Sequence, residues 1–556
     1  MKLFQPKLFQ SLKGYTGKQL VSDLVAGLIV AIIALPLSIA LAIASGAAPE
    51  QGLYTAIVAG FVIAFLGGSR VNISGPTAAF ATIVAGIIAQ NGIGGLYVAT
   101  VMAGIILILM GVFRFGTLIK YIPHTITTGF TSGIALTIVI GQIKDFLGLT
   151  FPAGANPVEA PEKLEAIAHS ITTVNWWALL VGAVGLAILI VWPKISKKIP
   201  GSLIAVLVGS GLVILLEQFG IEVLTIEKVF HLSEKENLML GFSDFSSFEW
   251  NMIPTLLPSA FTIAILAAIE SLLSCVVSDE MIGDRHNSNT ELIAQGAGNI
   301  CSGLFRGIPA TGAIARTAAN VKNGGRSPIS GMVHAVVLLL VLLFLIPYAG
   351  YIPMPIIASI LFIVAYNMCE WRQFVKICKT APKSDILVLV VTFALTVIFD
   401  LVVAIAVGMV LAAVLFMKRM ADVTFVRSWN DDEFLASHDN SRLKDIPTGT
   451  AVFEIEGPMF FASSDKFAAI PVKDDARVVI LRMRDVPALD ASGMKNLFAI
   501  LKSCQKSERI LLISHANEQP MRVMRHAGFV AAVGEENFLP NIDEALTRAE
   551  ELCAKE

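Results

Sequence analysis

Long stretches in which nearly every position is apolar dominate the first three quarters of the chain. They lie near residues 24–45, 53–66, 95–113, 125–143, 177–193, 200–219, 258–278, 329–347, 353–367, 385–399 and 401–417. A helix that crosses a bilayer needs about 20 mostly apolar residues, so these runs predict spanning helices, several of them short. Weaker, interrupted segments near 76–91, 290–305 and 310–321 bring the count to fourteen. From residue 423 the pattern changes. Charges become frequent and apolar runs shrink to strand length at 450–456, 477–483 and 509–514, alternating with helix-like runs at 463–470, 491–505, 518–527 and 540–553. The pattern predicts a helical polytopic membrane domain over 1–422 and a small α/β domain over 423–556. The first apolar run follows a polar segment and is too long for the core of a signal peptide, so it is read as the first spanning helix.

Composition agrees: 55% of residues are hydrophobic and 15% charged, against about 45–50% and about 25% for soluble chains. A net charge of −2 gives no broad basic field for nucleic acid. The cysteines Cys275, Cys301, Cys369, Cys378, Cys504 and Cys553 form no CxxC pair or Cys/His ligand set; no metal site and no disulfide framework are expected. No GxxxxGK[ST] loop occurs, so the expected energy source is a gradient. No nucleophile–base set or cofactor motif can be assembled, and an enzyme is not expected.

Placement of Lys and Arg sets the expected orientation. With the N-terminus inside, Arg70, Arg114, Lys120, Lys194, Lys197, Lys198, Arg285, Lys322, Arg326, Arg372, Lys376, Lys379, Lys383, Lys418 and Arg419 all fall inside. The two long outer loops, about 147–175 and 220–257, hold only Lys163, Lys228 and Lys235 and are rich in Glu. Both termini are therefore expected in the cytoplasm.

Two segments read poorly as spanning helices. Gly67 to Phe80 and Gly307 to Arg316 each run from a short extended stretch through Gly, Pro and Thr into a short helix. Pro76 suits a first helical turn, and Ser74 or Thr311 could cap free amides. These are the third and tenth of fourteen segments, equivalent places in two halves of seven. Paired broken helices are the best sequence pointer to a transporter site at the bilayer midplane, although single kinks are common in spanning helices. Two helix N-termini facing each other would hold an anion through free N–H groups and about half a positive charge each. Arg316, about five residues into the second half-helix, either adds positive potential behind that anion or forms a structural ion pair, with Glu270 the candidate partner. Glu270 is the only acid the pattern places deep in an apolar span. It reads as a proton carrier, as a cation ligand when ionised, as one half of a structural pair, or as a hydrogen-bonded neutral acid. In the tail, Leu489-Asp490-Ala491-Ser492-Gly493 follows a strand and opens a helix. Asp490 or Ser492 could cap that helix, and such a terminus also suits phosphate.

At these residues the chain resembles the SulP (sulfate permease) family over essentially its whole length. Pro49-Glu50-Gln51-Gly52-Leu53-Tyr54-Thr55-Ala56 followed by Gly68-Ser69-Arg70 is similar to the family signature, and Asp490-Ala491-Ser492-Gly493 resembles the D-x-S-G turn of a STAS domain. The resemblance implies fourteen helices in two inverted repeats of seven and a homodimer. It also implies an anion pocket between helices 1, 3, 8 and 10. That pocket carries onto Pro36, Leu37, Ser38 and Leu41; onto Thr77, Ala78, Ala79 and Phe80; onto Glu270 as the ion-coupling residue; and onto Ala313, Ile314, Ala315 and Arg316. Ser492 is the remaining phosphoacceptor of the turn. Runs such as Gly129-Phe130-Thr131-Ser132-Gly133 and Gln142 to Leu149 are most similar to DauA-like bacterial dicarboxylic acid transporters. Where many members have P-Q-G in helix 1, this chain has Pro36-Leu37-Ser38, which weakens any carry-over of sulfate specificity. The expectation is proton-coupled uptake of a four-carbon dicarboxylate such as succinate across a bacterial inner membrane. The alternatives are sodium-coupled or exchange transport of bicarbonate or sulfate, and a membrane-anchored sensor that signals through its STAS tail to a cytoplasmic partner.

Overall fold

The computed structural model describes residues 4–117, 123–152, 157, 159–196, 199–231, 240–244, 250–399, 401–429, 446–468 and 476–554. Lys120, Lys197, Lys198 and Lys235 of the orientation argument lie outside the described residues. The chain divides into two units, Met1–Met409 and Val410–Glu556.

The first unit is helical. It runs α1 (Lys7–Ser11), α2 (Gly17–Ala44), α3 (Pro49–Leu66), strand β1 (Ser74–Gly75), a 3-10 turn (Ala78–Phe80), α4 (Ala81–Val112), α5 (His124–Leu147), α6 (Ala160–Ser170), α7 (Trp176–Ile195), α8 (Gly201–Gln218), α9 (Ile226–Phe230), α10 (Met252–Ile282) and α11 (Ser288–Leu304). Then follow strand β2 (Thr311–Gly312), α12 (Ile314–Lys322), α13 (Ile329–Ala349), α14 (Met354–Cys369), α15 (Trp371–Thr380), α16 (Lys383–Ile398) and α17 (Leu401–Asp422), the last continuing into the second unit. Among the described residues nine helices are long and apolar enough to cross a membrane. One of them, α4, is two segments in line, because Gly92 at φ 68° breaks its helical path, a conformation that costs glycine little. With α11, α12, α13 and α16 this agrees with the fourteen segments read from the sequence.

The helix starts follow from local chemistry. Thr16 and Gln19 form a capping box ahead of α2, and the Asn287 side chain accepts the Thr290 N–H at the start of α11. Small residues let helices approach closely, as is usual where lipid removes the hydrophobic drive. Gly104 of α4 and Gly296 of α11 face one another so tightly that a Cβ on either would come within 2.6 Å of the other's carbonyl oxygen.

The second unit carries a five-stranded sheet: β3 (Phe425–Ser428), β4 (Thr450–Glu456), β5 (Val478–Asp485), β6 (Ile510–Ser514) and β7 (Phe538–Leu539), in that spatial order. β3 is antiparallel to β4 and the remaining neighbours are parallel. Its helices are α18 (Ser464–Ala468), α19 (Ala491–Lys506), α20 (Glu518–His526), α21 (Phe529–Val533) and α22 (Ile542–Ala554). Alternation along the strands sorts the core into two faces. Phe453, Val479 and Leu481 pack with Leu497 of α19 and Met524 of α20, while Val452, Ile480 and Leu512 pack with Leu546 and Ala549 of α22.

Candidate functional site

The two broken segments meet. β1 and β2 pair antiparallel, Ser74 opposite Gly312 and Gly75 opposite Thr311. From this crossing two helices start: one at Ala78, continuing into α4, and the other at Ile314 in α12. The N-cap positions are Thr77 and Ala313, and neither start is capped by a side chain. Two sequence expectations fail here. Ser74 and Thr311 do not cap the helices: Ser74 Oγ accepts from Gln295 Nε2, and Thr311 Oγ1 donates to the Ala267 carbonyl and lies 2.7 Å from Ser271 Oγ. Pro76 sits before the cap at Thr77 rather than inside the first turn. The strands use the side chains that could have capped, so the helix N–H groups remain turned toward the space in front of them. Helix starts of this kind attract anions.

α12 packs on α2 and α10, and α10 also packs on α4 and β2. The elements carrying the predicted residues are thus brought together. On α2, Pro36, Ser38 and Leu41 are buried and Leu37 is half-buried. Ser38 Oγ has no hydrogen-bond partner. Ala78, Ala79 and Phe80 are buried, whereas Thr77 and Ala313 are partly open and Ile314 and Ala315 are exposed.

Arg316 is 1% exposed. Its Nη2 donates to the Pro76 carbonyl at 3.0 Å, which ties the second half-helix to the entrance of the first. Its Nε and Nη1 find no partner. The expected alternative, an ion pair with Glu270, is not formed: Glu270 Oε2 instead accepts the Thr77 hydroxyl at 2.9 Å. A cation with two unpaired donors in a dry core is costly, and an anion arriving at the half-helix starts would offset that cost. Gly75 leaves the room for it, since a Cβ there would stand 2.5 Å from Nη1. Gly75→Ala should therefore displace the guanidinium and raise the substrate concentration for half-maximal uptake several-fold with normal expression; an unchanged concentration dependence would separate Nη1 from the site.

Sequence reading missed three buried groups. Glu291 is 0% and Asp23 1% exposed, so acids near the starts of α11 and α2 are buried, while Glu270 stands mid-helix in its span. Asp23 accepts the Tyr15 hydroxyl and the Arg326 N–H, both at 2.7 Å. His334 of α13 is fully buried with neither ring nitrogen partnered, facing Gly60 of α3 across from the β1 carbonyl of Ser74. Its polar ring in an apolar run was the available signal.

In the tail Asp490 is the cap. Its Oδ1 accepts the Ser492 and Gly493 N–H groups at 2.8 Å each, and Oδ2 accepts the Phe461 N–H at 3.1 Å. Ser492 is half-buried at the first turn of α19. Asp490→Ala should destabilise this corner by about 1–2 kcal/mol, read as faster hydrogen exchange over 491–506 in the intact protein. Ser492→Ala should leave that exchange unchanged.

Multi-pass helices with two discontinuous segments crossing at a shared, uncapped and positively polarised point define a membrane transporter for anions. The chain belongs to the sulfate permease family, which matches residues 20–392, and residues 442–545 match the STAS domain. Over its length it is 38% identical to the "Putative sulfate transporter YvdB" of Bacillus subtilis, covering 96% of this chain and 98% of that one. It is 30% identical to the bicarbonate transporter BicA of Picosynechococcus sp., covering 96% and 95%. Among solved structures, SLC26A9 has the same fold, with a TM-score of 0.85 at 20% identity over 98% of this chain and 92% of that one. The transmembrane domain of a cyanobacterial BicA gives 0.62 at 31% identity over 72% and 98%. The protein is thus a multi-pass anion transporter with a C-terminal STAS domain.

Proposed function

We propose that the protein takes up a small anion by proton-coupled symport across a bacterial inner membrane, with both termini in the cytoplasm and as a homodimer. The anion sits at the starts of the two half-helices, contacted by Thr77, Ala78, Ala313 and Ala315, with Arg316 beneath it and Glu270 as the coupling group. The observation that carries this reading is the buried Arg316 guanidinium, which bonds the Pro76 carbonyl of the opposite segment and keeps two of its nitrogens unpaired. Glu270, held by the Thr77 hydroxyl and paired with no cation among the described residues, supports the coupling role. A carboxylate left charged beside the anion would repel it, so neutralisation by a proton links the two loads.

The first substrate candidate is a four-carbon dicarboxylate such as succinate, as the sequence runs in α5 suggest. The names of the relatives favour a second reading, sulfate or bicarbonate, driven by sodium or by exchange. Purified protein in liposomes, offered labelled succinate, sulfate and bicarbonate under imposed pH or sodium gradients, separates them. Succinate accumulation driven by a pH gradient supports the first reading. Bicarbonate or sulfate accumulation with no succinate uptake replaces it with the second. No transport of any anion would favour a sensor in which the pore is vestigial.

A further inference from the structure

Behind the strand crossing lies a buried carboxylate with no cation beside it among the described residues. Glu291 of α11 is fully buried. Its Oε2 accepts the backbone N–H groups of Gly68 at 2.9 Å and Ser69 at 3.2 Å. Its Oε1 accepts Asn72 Nδ2 at 2.8 Å and Gln295 Nε2 at 3.0 Å. A charge in a dry interior is tolerated only when hydrogen bonds replace its water, and four N–H donors do so here.

The bonds continue outward in a fixed direction. Asn72, with its Nδ2 donating to Glu291, presents its oxygen to two hydroxyls: Ser274 Oγ at 2.7 Å and Thr317 Oγ1 at 3.0 Å. Ser274 lies one turn beyond Glu270 on α10, and Thr317 follows Arg316 on α12. Gln295 Nε2 bonds Ser74 Oγ of β1 at 3.0 Å. One acceptor-only group thus reaches, through one amide on each branch, the three segments that hold the proposed anion site. An acceptor at the centre forces every neighbour to turn a donor inward and its oxygen outward.

We infer that Glu291 is a positioning residue for anion transport: through Asn72 it sets where Arg316 and Glu270 stand on either side of the β1–β2 crossing. The inference rests on the site reading above. It assigns Glu291 no contact with the anion.

The test relocates the charge. In Glu291→Gln an amide faces donors. In Asn72→Asp two carboxylates face each other. In the double variant the carboxylate moves to position 72. The amide introduced at position 291 then keeps its oxygen toward Gly68 and Ser69 and donates to the relocated carboxylate. Gln295 can turn its Oε1, unpartnered in the structure, toward that new amide. Uptake of labelled succinate, sulfate and bicarbonate by full-length protein in liposomes gives KM and Vmax, and melting of the same preparations gives stability. Each single variant should raise KM by about tenfold or more, as loss of a buried charged hydrogen bond does. The double variant should return KM to within about threefold of the parent. Ser274→Ala, which leaves all four Glu291 donors in place, should raise KM several-fold while lowering the melting temperature by no more than about a few degrees. A folded Glu291→Gln with parental KM, or a double variant no better than the singles, overturns the inference. If the singles do not fold, parental KM in Ser274→Ala overturns it. Arg316→Ala is the control: parental KM there defeats the site reading itself, whereas a defective Arg316→Ala beside an unaffected Glu291 series defeats only the positioning role.

Discussion

Arg316→Ala should reduce uptake by about thirtyfold to several thousandfold while the protein still inserts and accumulates normally. The argument has two sides. In the structure Arg316 makes one hydrogen bond, to the Pro76 carbonyl, and leaves Nε and Nη1 unpaired. Its removal costs one bond and some packing but relieves a buried charge that no acid among the described residues pairs with, so the fold should lose little. With an anion present the guanidinium supplies the only full positive charge that the described residues place at the half-helix starts. Removing one partner of a desolvated charge pair costs about 2–5 kcal/mol, which converts to the loss stated above. Arg316→Lys should recover part of the activity, because it restores the charge without the planar fork. Radiolabelled uptake normalised to membrane-inserted protein checks both. Full activity in Arg316→Ala would remove the residue from the site, and parallel loss of expression would make it a structural cation.

Much of this architecture was legible because lipid imposes a simple rule on sequence. Spanning segments must be apolar, so the exceptions stand out: glycine and proline interrupting 67–80 and 307–316, an arginine at 316, an acid at 270. The equivalent places of the two interruptions were legible too, whereas the pairing of β1 with β2 came from the structure. What sequence could not supply was partner choice among side chains. Glu270 and Arg316 looked like natural mates by charge alone. In the structure Arg316 reaches the Pro76 carbonyl and Glu270 takes the Thr77 hydroxyl. Glu291 escaped for a different reason. It stands near the start of a helix opened by Ser288, Asn289 and Thr290, where an acid normally faces water and favours the helix dipole. Its burial comes from Gly68, Ser69 and Asn72, more than two hundred residues earlier. In the tail, β3 and β7 are edge strands of four and two residues, too short for any alternation to show.

Glu270→Gln should abolish accumulation driven by a pH gradient while leaving substrate-for-substrate exchange largely intact. The carboxyl lies in the middle of α10, on the helix face that borders the half-helix start at Thr77. An isolated carboxylate at this depth is costly, and no lysine or arginine among the described residues pairs with it. When an anion enters the neighbouring half-helix starts, a charged Glu270 would repel it across a medium of low dielectric constant. On the proposed reading protonation removes that repulsion, so anion and proton would load together and be released together. Uptake should then quicken as the outside becomes more acidic. Glutamine imitates the protonated carboxyl in shape and neutrality: it can still receive the Thr77 hydroxyl through its oxygen, and anion binding should survive. It cannot release a proton on the inner side, so each cycle loses its link to the gradient. Exchange needs no net proton movement and should persist within about a few-fold of the parent, since the neutral amide preserves the one hydrogen bond. Counterflow and pH-jump uptake in the same liposomes measure the two activities side by side. Loss of both, together with reduced expression, would make Glu270 a structural acid. Accumulation that follows an imposed sodium gradient and ignores pH would assign the carboxylate to cation ligation, and the same variant would then lose sodium dependence instead.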